Sequence, residues 1–321
     1  MTSFRAAVVQ DAPVPFDTPA TLERLRLRAA EAARWGAALA VFPEAFLGGY
    51  PKGQDFGTRV GFRTPAGRRL FERYAEAAIA VPGPETARVG EVARELGLHL
   101  VVGAIERAGG SLYGAALTFG PDGTLLFARR KLTPTALERL IWGAGDGSDV
   151  SVVPTTVGRL APAICWESYQ PLFRTALYAR GVEVYCALTV DDRDTWLASM
   201  RHVAAEGRCF VLSSCQYATR REVPFGLEAG DADPGEVLIR GGSCVVSPLG
   251  EVLAGPLEGG PGVLLAEVDL GEVTRGKLDL DVVGHSARPD VFRLEVRTGA
   301  ARPVAFLAGD AGPGPRDGSG S

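Results

Sequence analysis

Histidine is scarce in this 321-residue chain: His99, His202 and His285 are the only three. A thiol–imidazole pair would have to recruit one of them, which leaves a histidine-based mechanism few places to go. The five cysteines (165, 186, 209, 215 and 244) form no CxxC pair and no zinc-type Cys/His spacing, so reduced thiols are expected. No apolar stretch reaches membrane-spanning length, and Met1-Thr2-Ser3-Phe4-Arg5 leads into a strand-like run without the charged-then-apolar opening of a leader. A cytoplasmic protein is expected. Charge of one sign is lacking too: 34 Lys and Arg against 38 Asp and Glu give −4, mixed along the chain, with no footprint for nucleic acid or an anionic membrane. The ligand is expected to be a small molecule. No complete GxSxG or P-loop is present, and Gly143 to Ser148 follows a helical piece and precedes a strand, the reverse of a dinucleotide fingerprint.

What is present is an ordinary globular composition, 46% hydrophobic and 22% charged. Phe4 to Gln10 reads as a buried strand, Thr18 to Trp35 as a helix and Ala37 to Phe42 as a second strand. Ala66 to Ala80 and Glu85 to Leu96 are helical. Leu98 to Glu106, Ser111 to Phe119 and Thr124 to Arg130 form an expected antiparallel meander. Thr135 to Trp142 is a short helical piece and Val150 to Pro154 a strand. Strand and helix then alternate through Arg159 to Ile164, Leu172 to Arg180, Val182 to Ala187, Thr195 to Glu206 and Cys209 to Ser213. Gly241 to Ser247 and Glu251 to Ala254 make a hairpin, followed by a strand from Gly262 to Val268, a helix from Leu270 to Lys277 and a last apolar run from Val291 to Val296. No repeat or linker divides this, so one domain over 1–306 is expected, in the α/β class, with strands in two sheets and helices outside. The tail 307–321, rich in Gly, Pro, Asp and Ser, is expected to be disordered.

Ala163 to Pro171 draws the eye, because an apolar run delivers Cys165 to the point where the pattern turns polar and a proline suited to a first helical turn follows. A thiol there is held by the sheet and lies near helical N–H groups that favour its thiolate. Taken alone, a cysteine more often packs as a small hydrophobe. Glu44, in FPEAF, and Lys131, in RRKLTPT, end two other apolar strands. Singly, the first reads as a solvent-facing loop carboxylate and the second as one of a basic cluster. Together the three suit thiol chemistry without histidine: a carboxylate accepts the thiol proton, sulfur attacks an electrophilic carbon, and an ammonium steadies the negative charge.

With FPEAF, RRKLTPT and ICWES in this order, the chain resembles the nitrilase branch of the carbon–nitrogen hydrolase superfamily. The resemblance continues through GGYPKG, LERLIWGAGDGS, CWESYQPLFRTALYARG, TWLASMRHVAAEGRCFVLS, RRE, VSPLGEVLAGP and VVGHSARPDVF, over Phe4 to Phe306. It implies Glu44 as general base, Lys131 as electrophilic stabiliser, Cys165 as nucleophile, Glu138 as a second glutamate, and the Trp166 backbone N–H as a contact for the developing anion. It also implies an α-β-β-α sandwich of two mixed sheets, becoming αββα-αββα on dimerisation, and a homo-oligomer extending to spirals. The reaction implied is hydrolysis of a nitrile to the carboxylic acid and ammonia through a thioimidate and a thioester, with no metal or organic cofactor.

The chain departs from the family pattern at Arg129 (often His), Ser168 (Asn), Leu188 (Pro) and Ser286 (Tyr), none of them in the triad. Tyr50, Glu167, Ser168, Thr189 and Trp196 are the expected substrate contacts, with Glu167 alternatively orienting the loop beside the nucleophile. An amidase or carbamoylase would use the same triad, although GGYPKG, TALYARG and SPLGEVLAGP fit plant-type and related bacterial nitrilases better. Release of amide before ammonia leaves, and a catalytically idle binding or assembly protein, are the other readings.

Overall fold

The computed structural model describes residues 3–223, 233–301 and 304; the tail 307–321 lies outside them. Strand β1 (Ser3–Gln10) is buried at every position from Ala6 onward. Helix α1 (Thr18–Arg34) starts where the Asp17 carboxylate accepts the Ala20 N–H at 2.9 Å, with Pro19 in its first turn, and leads to β2 (Ala37–Val41). A small ribbon, β3 (Thr58–Arg59) and β4 (Phe62–Arg63), precedes α2 (Pro65–Ala77), which Thr64 caps through the Gly67 N–H at 3.0 Å. Helix α3 (Pro84–Leu96) ends on Gly97 at φ 64°, left-handed backbone that glycine adopts without strain. Then come β5 (His99–Ala108), β6 (Ser111–Phe119), β7 (Leu125–Arg130), β8 (Val153–Thr155), β9 (Gly158–Ile164), α4 (Pro171–Ala179), β10 (Val184–Thr189), α5 (Asp194–Gly207), β11 (Phe210–Cys215) and β12 (Tyr217–Thr219). The chain of elements closes with β13 (Val237–Val246), β14 (Val252–Glu258), β15 (Gly262–Asp269) and α6 (Gly271–Gly276).

The first sheet runs β15-β1-β2-β5-β6-β7, parallel across β1, β2 and β5 and antiparallel elsewhere. The second runs β12-β13-β11-β10-β9-β8, with β14 also on β13 and with β9, β10 and β11 parallel. Between the facing sheets lie Val8, Leu39, Val41, Val101, Ile164, Cys186, Leu188 and Leu212. Leu25, Ala29 and Ala32 of α1 and Val89 and Ala93 of α3 cover the outer face of the first sheet. Phe173 and Leu177 of α4, with Trp196, Met200 and Val203 of α5, cover that of the second. This is the expected α-β-β-α sandwich of two mixed sheets.

The layering sets up the site. Strand β7 follows two antiparallel turns from β5 and so runs in the direction of β5 and β2, which brings the carboxyl ends of β2 and β7 to one edge. The carboxyl ends of β9 and β10 face them across the sandwich. Two expectations need correction. The strand over Val150 to Pro154 is only Val153–Thr155, and the helical piece over Thr135 to Trp142 is a single 3-10 turn, Ala136–Leu140. The apolar run Val291 to Val296 forms neither helix nor strand; Phe292, 80% exposed, reaches no core.

Candidate active site

Past β2 the chain turns at Pro43-Glu44-Ala45, with Ala45 in the left-handed region at φ 52°. The turn presses against β5 so closely that a Cβ at Gly103 would stand 2.2 Å from the Pro43 carbonyl oxygen, so only glycine fits there. Gln216 Nε2 donates to the Glu44 carbonyl at 2.7 Å from the other sheet. Past β7, Lys131 is tied by its N–H to Gly114 O (2.6 Å) and by its carbonyl to the Gly145 N–H (2.7 Å). Its fully buried Nζ lies between Glu44 Oε1 and Glu138 Oε2, 2.7 Å from each, and 5.6 Å from the Trp142 ring centroid. Glu138 Oε2 also accepts the Thr135 N–H at 2.6 Å, and its Oε1 accepts Tyr50 OH at 2.9 Å. Past β9, Cys165 opens a 3-10 turn (Cys165–Tyr169) at φ 52°, and its Sγ accepts the Thr189 hydroxyl at 3.2 Å. Ala45, Ala136 (φ 47°) and Cys165 thus place left-handed, non-glycine backbone beside each acid and at the thiol, a distribution typical of sites where the surrounding fold holds strain.

Burial is the largest influence on Glu44 and pushes its carboxyl up to about 7; Lys131 pulls it down, and Glu138 adds to the rise. Its Oε2 accepts no hydrogen bond from any described residue, so one oxygen is open to take a proton. Burial opposes the Lys131 charge, but the facing groups, Glu44 foremost, outweigh it and hold the ammonium above its ordinary range. Burial and then Glu44 drive the Cys165 thiol well above its usual value, against the pull of Lys131 and Thr189. The expectation that helical N–H groups favour a resting thiolate is therefore corrected. A buried sulfur beside a carboxylate holds its proton until a base removes it.

Cys165 and Glu138 lie on the wall of a cleft of about 540 Å³, which Tyr50, Leu137, Ile141, Trp166, Val190 and Arg193 help to line. None of the three histidines lines it. A buried thiol, a carboxylate with a raised pKa and a fixed ammonium meet at one place.

The carbon-nitrogen hydrolase family pattern matches residues 5–277. The chain belongs to the carbon-nitrogen hydrolase family. It is 55% identical over 297 residues to an aliphatic nitrilase of Sinorhizobium fredii (strain HH103), spanning 92% of this chain and 96% of that protein. It is 50% identical to a bifunctional nitrilase/nitrile hydratase of Lupinus angustifolius, spanning 95% and 89%. The fold is similar to that of a carbon-nitrogen hydrolase from Helicobacter pylori G27, with TM-score 0.68 at 20% identity, covering 86% and 92%.

In this carbon-nitrogen hydrolase, the sequence-predicted residues divide by position. Glu44, Lys131 and Glu138 meet directly, Thr189 touches the sulfur, and Tyr50 and Trp166 line the cleft. Trp166 is pinned through Nε1 to Asp191 Oδ2 at 2.8 Å, with the Arg193 guanidinium 4.8 Å from its ring centroid. Glu167 is no substrate contact. Fully buried, it accepts Arg129 Nη1 and Nη2 (2.6 and 2.8 Å), the Leu132 N–H (2.6 Å) and the Ile164 N–H (2.7 Å), which leaves its carboxylate nothing to offer a ligand. Ser168 Oγ faces Tyr185 OH at 3.0 Å, and the Trp196 indole donates to Ser213 Oγ at 2.8 Å; both are buried off the cleft. Sequence reasoning missed Asp191, Arg193, Leu137 and Ile141. The polar run after the apolar Val184–Thr189 was the available signal for the first two.

Proposed function

We propose that this carbon-nitrogen hydrolase is a nitrilase. The observation that carries the reading is the Lys131 ammonium held 2.7 Å from both Glu44 and Glu138 beside the cleft whose wall includes Cys165. Nitrilase relatives at about half identity, spanning nearly the whole chain, supply the substrate class.

Glu44 takes the Cys165 proton as Sγ bonds to the nitrile carbon. One carbon–nitrogen π bond becomes the lone pair of a thioimidate nitrogen, which takes the thiol proton back from Glu44, with Lys131 and the Trp166 backbone N–H facing the developing negative charge. A first water, its proton taken by Glu44, adds to that carbon; the carbon–nitrogen bond breaks, ammonia leaves and a thioester remains. A second water breaks the carbon–sulfur bond, giving the carboxylic acid and restoring the thiol. The apolar wall of Tyr50, Leu137, Ile141, Trp166 and Val190 supports an arylaliphatic or aliphatic nitrile as substrate. The bifunctional relatives support a second outcome, amide released from the same tetrahedral intermediate. We further propose a cytoplasmic homo-oligomer, a dimer layered αββα-αββα that extends to spirals, which light scattering would test.

The test of function is a panel of arylacetonitriles, aliphatic nitriles and 3-cyanoalanine, with ammonia, acid and amide quantified. Ammonia and acid are expected from at least one nitrile with wild type and none with Cys165→Ala. Turnover of amides alone would overturn the nitrilase reading.

A further inference from the structure

We infer that Thr189 is a catalytic residue whose hydroxyl donates to Cys165 Sγ and steadies the thiolate as Glu44 withdraws the proton. The inference rests on the reading of Cys165 as nucleophile and goes beyond it by assigning the group that answers the charge on sulfur. Thr189 ends β10, the strand beside β9, so its fully buried side chain stands next to the residue that follows Ile164. Its Oγ1 lies 3.2 Å from Sγ.

The second contact of Oγ1 agrees with that direction. The Asp191 N–H donates to Oγ1 at 2.9 Å and occupies one lone pair, and among the described residues Sγ is the acceptor that the hydroxyl proton meets. Asp191 is itself anchored, with Oδ2 on Trp166 Nε1 at 2.8 Å and Oδ1 on the Arg193 N–H at 3.1 Å. The donor thus points at Sγ before the reaction begins and does not reorganise during it. Having spent its one proton on sulfur, Thr189 has none for the substrate nitrogen, so the expectation of a substrate contact gives way to a contact with the nucleophile. Burial and Glu44 disfavour the thiolate here, and Thr189 and Lys131 are the groups that oppose them.

Thr189→Val keeps shape and volume but removes both the donor to Sγ and the acceptor of the Asp191 N–H, whereas Thr189→Ser keeps both. Hydrogen bonds to charged groups of this kind move a thiol by about one to two pH units. The smaller thiolate fraction is offset in part by greater intrinsic nucleophilicity, so iodoacetamide should alkylate Cys165 about 3- to 10-fold more slowly at pH 7. Peptide mass mapping, with Cys165→Ala as the blank, locates the label. The alkylation profile against pH should move upward in Thr189→Val, and Thr189→Ser, which retains the hydroxyl, should return within about twofold of wild type. Wild-type alkylation by Thr189→Val at pH 7, or Thr189→Ser as slow as Thr189→Val, would overturn the assignment. If the valine variant does not fold, Thr189→Ala against Thr189→Ser makes the same comparison between two smaller side chains. Alkylation needs no nitrile: if wild type hydrolyses none, the nitrilase reading falls while this comparison still decides the role of Thr189.

Discussion

Replacing Glu44 by Gln separates its cost to the fold from its use to the chemistry. The carboxyl is 1% exposed, and burial, only partly countered by Lys131, raises it from 4.5 to about 7. Between those values the unfolded chain has released the proton and the folded protein still holds it. The contribution of Glu44 to stability is therefore fully present below about pH 4.5 and is lost as pH rises through about 7. From pH 5 to pH 8 the loss comes to about 2 to 3 kcal/mol. Gln does not titrate, so the stability of Glu44→Gln minus that of wild type should grow by that amount over the same interval. Urea unfolding of both proteins at pH 5, 6, 7 and 8, followed by far-ultraviolet circular dichroism, measures the difference, and other titrating groups largely cancel in it. A difference that stays flat or shrinks as pH rises would refute the placement of a raised carboxyl at Glu44. The same value governs turnover. If Glu44 acts as base, kcat/KM should climb with pH through about 7, and Glu44→Gln should lose about 10²- to 10⁴-fold.

Glu167→Gln replaces a carboxylate that gives one oxygen to the Leu132 N–H and the other to the Ile164 N–H. An amide can accept only one of the two, so the loop after Lys131 or the one before Cys165 is released. We expect kcat to fall about 10²-fold, as for a displacement of an ångström or so, and stability to fall by about 3 kcal/mol as buried Arg129 loses its close carboxylate and keeps only Asp149 Oδ1 at 3.9 Å, both readable from steady-state kinetics and urea titration. Ala136→Gly relieves a left-handed alanine at an exposed position (φ 47°) and should raise stability by about 0.5 to 1 kcal/mol, seen as a higher urea midpoint at unchanged slope.

Much of the fold was legible because its elements are locally consistent. Strand β1, helix α1 and the β5-β6-β7 meander carry their period, their caps and their turns in the sequence, and the structure places them within a few residues. Glu44, Lys131 and Cys165 were legible as polar residues at the ends of apolar runs, the one local sign that a side chain leaves the sheet at its edge. What failed was set by contacts distant in sequence. Glu167 reads as a loop acid beside the nucleophile, but Arg129, 38 residues earlier, turns it inward. Trp196 reads as a pocket aromatic, but α5 directs it into the layer between helix and sheet, where Ser213 takes its indole N–H. The state of the thiol depends on burial and on Glu44, neither of which a strand-to-helix junction encodes.

Peptide mapping after acid quench of wild type turning over an arylacetonitrile tests the central claim most directly. If Cys165 carries the chemistry, the peptide containing it should gain the mass of the nitrile or its acyl group, and Cys165→Ala should show neither adduct nor ammonia. Ammonia released by Cys165→Ala at the wild-type rate, or an adduct on another residue, would contradict it.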